Sequence, residues 1–143
     1  MYQWFFNKNK GEIRSHLLEN IRFDESLEEK RKHPVLKEII SLAENNGMRG
    51  QELKALIAQL DDTLLITPNN DRERFSLLHK MITILNDDHF LNTGEKDFCT
   101  DYGVYLGYER INVVYLIRAI MDGMKLDQSE EEIWRHLQEK KEE

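Results

Sequence analysis

The chain of 143 residues holds a single cysteine, two prolines and seven glycines. With Cys99 alone, no internal disulfide framework forms, and zinc sites built on two or four cysteines are excluded. The scarcity of proline and glycine leaves no stretch that reads as a linker, and no internal repeat is present. Against a guide of about 150 residues per domain, the expectation is one domain over residues 1–143, with a polar tail that frays from about residue 138. Long apolar runs are also missing. The longest, residues 111–121, is broken by Asn112 and Arg118, whereas a bilayer-spanning helix needs about 20 apolar residues.

Positive charge is in the minority: 20 Lys and Arg stand against 27 Asp and Glu, a net charge of −7 with histidine neutral. Nonspecific nucleic-acid binding rests on neutralising phosphates, so it is disfavoured, as is adhesion to anionic membranes. The opening residues, Met1-Tyr2-Gln3-Trp4-Phe5-Phe6, lack the layout of a secretory signal. A cytoplasmic location is therefore expected, with no membrane partner.

The residues that are present repeat at helical spacing. Ile13, Leu17, Leu18 and Ile21 predict a helix over about 12–22. Ser26 with Glu29 reads as a capping box, in which each side chain satisfies the other's backbone N–H. Pro34 suits the first position of a helix over about 34–45, and Gly47 suits the left-handed residue after it. Leu53, Leu56, Ile57 and Leu60 mark a helix over about 51–60. Residues 64–67 read as a short extended segment or a buried connector. Asn70 with Glu73 starts a helix over about 71–85.

The pattern breaks between residues 86 and 109, which are expected to be irregular. A helix over about 109–122 is apolar almost all round, so it is placed at the centre of the fold and closed by Gly123. Ser129 with Glu132 starts a last helix anchored by Ile133, Trp134 and Leu137. The fold class that follows is all-α: an irregular bundle of five to six helices.

Chemistry is sought first in the irregular segment, since loops on a scaffold often carry function. Within the segment 87–101, Asp88, His89, Asp97 and Asp101 offer oxygen and imidazole ligands to a cation. Their spacing fits no recognised cage, and a solvated acidic loop is the plainer interpretation. Cys99 and the five histidines (His16, His33, His79, His89 and His136) contain a thiol and several bases, yet nothing pairs one with another. No Gly-x-Ser-x-Gly, His-Glu-x-x-His or phosphate-cradling glycine loop occurs.

Tyr102, Tyr105 and Tyr108 recur every three residues and would share one face of a helix. Tyrosine suits interfaces, carrying a stiff apolar body and a polar tip, although packing onto the helix over 109–122 with the hydroxyls at the surface is the favoured reading. The helices over 34–45 and 51–60 resemble a helix-turn-helix only in outline. Gln51, Lys54 and Gln59 suit DNA, with Arg49 beside them, whereas Glu52, Asp61 and Asp62 oppose it. Tyr2, Trp4, Phe5 and Phe6 form an aromatic end that requires cover, from the domain or from a partner.

The leading expectation is a non-enzymatic acidic interaction module of the inhibitor, antitoxin, adaptor or regulatory kind. It would bind another protein with a basic surface through Tyr102, Tyr105, Tyr108, Asp87 and Asp88, with no cofactor. The alternatives are a metal-dependent enzyme or sensor built on Asp88, His89, Asp97 and Asp101, and a DNA-binding regulator built on residues 34–60. A homodimer through the aromatic N-terminus or the last helix is compatible with each.

Overall fold

Apolar residues spaced three and four apart require a surface to pack on, and in the computed structural model of the chain they meet that need as helices. The structure describes residues 33–60, 62–86 and 90–142. The expected helix over 12–22, the Ser26 capping box, the aromatic N-terminal residues, Asp87, Asp88 and His89 lie outside the described residues. Six α-helices and one 3₁₀ helix form among the described residues, with no β-strand. They are α1 (Pro34–Asn45), α2 (Gly50–Gln59), the 3₁₀ helix (Asp62–Leu65), α3 (Asp71–Leu85), α4 (Thr93–Leu106), α5 (Arg110–Lys125) and α6 (Glu130–Glu142).

The chain divides into two compact units. One comprises Met1–Ile66 and Asn92–Phe98, the other Thr67–Leu91 and Cys99–Glu143. In the first unit, His33 is extended and Pro34 opens α1, as the steric restriction before proline requires. The helix ends in a Schellman motif: Gly47 at φ 88° donates to Glu44 O, and Met48 donates to Ala43 O. Arg49 then closes over the end, its Nη1 donating to Glu44 O at 2.7 Å. α1 packs against α2. Ile39, Ile40 and Leu56 are completely buried, each contributing about 1.5–3 kcal/mol. Of residues 64–67, expected as an extended segment or a buried connector, Leu64 and Leu65 belong to the 3₁₀ helix, Leu64 is completely buried, and Ile66 is exposed.

In the second unit, α3 starts as its sequence dictates. Asn70 Oδ1 accepts from Glu73 N and Glu73 Oε2 accepts from Asn69 N, both at 2.8 Å. The Ser129–Glu132 box forms at the start of α6. α6 packs on α3 and on α5. Arg72 reinforces the first of these contacts. Its Nη1 and Nη2 each lie 2.7 Å from a carboxylate oxygen, on Glu130 and Glu131 respectively. Both acids stand in the first turn of α6, where the helix dipole also favours negative charge. The guanidinium covers the Trp134 ring at 5.6 Å, and Phe75 lies 5.3 Å from Trp134 between centroids.

Three expectations need correction. Residues 93–106 are helical, although irregular structure was expected from 86 to 109. Asn92 Oδ1 accepts from Glu95 N and Glu95 Oε1 accepts from Asn92 N, both at 2.9 Å, a capping box that starts α4. The glycines that obscured this helix have other uses. Gly103 allows close packing against Val113, and Gly107 at φ 115° closes the helix. Second, Gly123 does not end α5. That helix runs on to Lys125, Gly123 is buried beneath Ile133, and Asp127 at φ 56° takes the left-handed position.

α5 is not apolar all round because it is enclosed on all sides. It buries Val113, Ile117, Ile120, Met121 and Gly123, whereas Ile111, Val114 and Tyr115 remain exposed. The apolar residues thus serve two faces, one inward and one outward.

Candidate functional site

The second unit presents two features beyond its core: the outward face of α5 and a cleft beside it. On the face, Ile111 is 76 % exposed, Val114 55 % and Tyr115 53 %. The spacing i, i+3, i+4 places them on one stripe of the helix. Isolated exposed apolar residues are ordinary, whereas these three form one continuous apolar strip. Arg110 flanks the stripe and pairs with Asp101 at 2.9 Å.

The cleft encloses about 470 Å³, within the usual range for small-molecule sites. The start of α3 contributes Asp71 and Arg74, the turn after α4 contributes Tyr108, and α5 contributes Asn112, Tyr115 and Leu116. The far wall is α6, through Trp134, Leu137, Gln138 and Lys140. The turn is held by a Schellman motif, with Tyr108 N donating to Gly103 O and Gly107 N to Val104 O. Gly107 is needed there twice over: its φ is positive, and a Cβ would stand 3.3 Å from Arg74 Nε.

Arg74 is held by three contacts. Nε donates to Leu106 O at 2.9 Å, Nη1 pairs with Asp71, and the guanidinium covers the Tyr108 ring at 5.5 Å. Burial pushes the Tyr108 hydroxyl up to about 12, with Arg74 opposing and Asp71 adding to the shift. The remaining polar groups of the cleft are uncommitted. Gln138 Nε2 is buried without a hydrogen-bond partner. The side chains of Asn112 and Lys140 make no hydrogen bond or ion pair among the described residues.

The sequence-derived tyrosines do not share a surface. Tyr102 is completely buried, and its hydroxyl lacks a partner. Burial raises its ionisation far above the ordinary value. Tyr105 stacks on it at 6.4 Å and is 37 % exposed. Tyr108 falls beyond the end of α4, so the three-residue period leaves the helix face before reaching it. Asp97 is exposed in the first unit, whereas Asp101 in the second is held by Arg110. No group of three or more metal-ligating side chains assembles among the described residues. Cys99 is buried. Glu52, on the helix considered for DNA, is buried, and Arg49 is occupied with the end of α1. No described helix is long and apolar enough to cross a membrane.

Sequence reasoning did not identify Ile111, Val114 and Tyr115 as a surface, although their signal was present in the all-round apolar pattern. Arg74, Trp134, Gln138 and Lys140 left no local signal, since only the packing of α6 on α3 brings these helices together. Compared with protein-family models, curated proteins and solved structures, the chain matches none.

Proposed function

We propose that the chain is a cytoplasmic, non-enzymatic regulatory module that binds a protein with a basic surface, with the outward face of α5 as its docking element. The observation that carries this reading is the exposed stripe of Ile111, Val114 and Tyr115. An amphipathic partner helix or an apolar groove would read such a stripe through anchors three and four residues apart. Basic residues on the partner are favoured by the net charge of −7. Such complementarity acts mainly on the encounter rate, and salt screens it.

The test uses the full chain and an I111D/V114D variant, tagged and exposed to lysate at low and physiological salt. The expected result is one near-stoichiometric protein held by the parent and lost by the variant. The purified partner should then associate more slowly as salt rises. Retention by the variant overturns the assignment to α5. A salt-independent association rate overturns the electrostatic part. Sedimentation of the purified chain identifies a second copy as the occupant if the parent dimerises and the variant does not, and that result overturns the basic-partner reading.

A further inference from the structure

We propose that the cleft between the start of α3, the α4–α5 turn and α6 binds a small planar aromatic carboxylate. This site shares Tyr115 with the docking stripe on α5, but its ligand is a small molecule and its test needs no protein partner.

The argument rests on which polar groups are committed and which are not. Asp71 and Arg74 neutralise each other, and Arg74 is further tied to the backbone of Leu106. Together they add no net charge. Lys140 is then the unbalanced charge of the cleft, and it lies in a protein that is otherwise acidic. The two amides that line the cleft, Asn112 and Gln138, supply donors, and Gln138 Nε2 is buried there without a hydrogen-bond partner. A buried donor left unpaired carries a free-energy cost that an acceptor on a ligand removes. Asn112 also stands in the first turn of α5, whose N-cap Glu109 makes no side-chain capping bond. The partial positive charge of that helix end adds to the same rim.

The apolar part of the ligand follows from the walls. Tyr115, Trp134 and Leu116 offer flat or aliphatic surface to a ring. An aromatic cage for a cation is the natural competing interpretation of three aromatic residues. Here two of the rings already carry an arginine, Arg74 over Tyr108 and Arg72 over Trp134. Those ring faces are therefore already occupied, and a further cation would meet the like charge of Lys140. A planar ring bearing a carboxylate meets no such opposition.

The experiment titrates 2-naphthoate into the full chain and follows backbone amide shifts by NMR, with neutral 2-naphthamide as the matched control. Saturable shifts are expected at residues of the cleft, with the amide binding about tenfold more weakly because it lacks the charge. K140Q should lose a similar factor. N112D should lose more, since it places a negative charge on the rim. This substitution adds an acid to the first turn of a helix, where acids favour folding, so the variant keeps its thermal stability while losing the ligand. Equal binding of naphthoate and naphthamide overturns the proposal. So does unchanged affinity in both K140Q and N112D, or saturable shifts confined to residues outside the cleft, or no saturable shift in the parent.

Discussion

Gly103 lies against Val113 so closely that a Cβ on the glycine would stand 2.5 Å from Val113 Cγ1 and 2.7 Å from Cγ2. Val113 is completely buried and β-branched, so its side chain has no room to turn aside. Alanine at 103 would improve helix propensity by about 1 kcal/mol. The overlap works against this and costs about 1–3 kcal/mol. The expected outcome is that G103A lowers the unfolding midpoint, measured by thermal melt. Adding V113A should recover part of the loss, a coupling that a double-mutant cycle reads directly. Additive losses would show that the two residues are not in contact.

Asp127 is the non-glycine residue with positive φ among the described residues, at 56°. It closes α5 in a Schellman motif, with Gln128 N donating to Gly123 O at 2.9 Å. Both its backbone strain and its negative charge at a helix C-terminus oppose stability. D127G should stabilise by about 0.5–1 kcal/mol, and D127N should stabilise less. Chemical denaturation of the three proteins gives the order.

His79 is mostly buried beside Phe75, with Nδ1 3.5 Å from Glu130 Oε1. Desolvation holds its ionisation below the ordinary 6.5, Glu130 opposing and Arg72 adding to the shift. The unfolded chain therefore takes up this proton more readily than the folded one. Stability from this residue is present above pH 6.5 and is lost as the pH falls from there through the lowered folded value. H79Q should flatten this part of the stability profile. A parent and variant with parallel profiles between pH 7.5 and 5.5 (about one unit either side of the ordinary histidine value) would contradict it.

Glu52 shows the opposite sign. It is 3 % exposed, its Oε2 has no hydrogen-bond partner, and desolvation raises its ionisation above 4.5. The folded chain holds this proton more tightly, so the carboxylate weakens the fold at neutral pH, and the penalty fades as the pH falls from the raised value to 4.5. E52Q should raise the melting temperature at pH 7 by about 2–4 °C, the equivalent of about 1 kcal/mol in a chain of this size. The gain should shrink in acid. A gain independent of pH would point to packing instead of charge.

Local chemistry was legible wherever a residue acts on its immediate neighbours. Pro34, Gly47, Asn70 with Glu73, and Ser129 with Glu132 placed helix ends, because a cap is satisfied within a few residues of itself. The same rule would have found α4 through Asn92 and Glu95. Gly94 and Gly103 lowered its apparent helicity, and the contact that explains Gly103 lies on another helix.

An all-helical fold followed from periodicity alone, since apolar side chains three and four residues apart reach a common surface only on a helix. Which side of α5 stays in water did not follow. Its apolar residues are compatible with full burial and with two working faces, and the positions of α4 and α6 select between them. The cleft belongs to the same class of fact. Arg74, the neighbouring pair Tyr108 and Asn112, and Lys140 are far apart along the chain, and their shared electrostatics exist only once α6 has packed onto α3 and α5. Short-range hydrogen bonding and spacing are written in order along a sequence. Burial, charge balance and the choice of an exposed face depend on long-range packing.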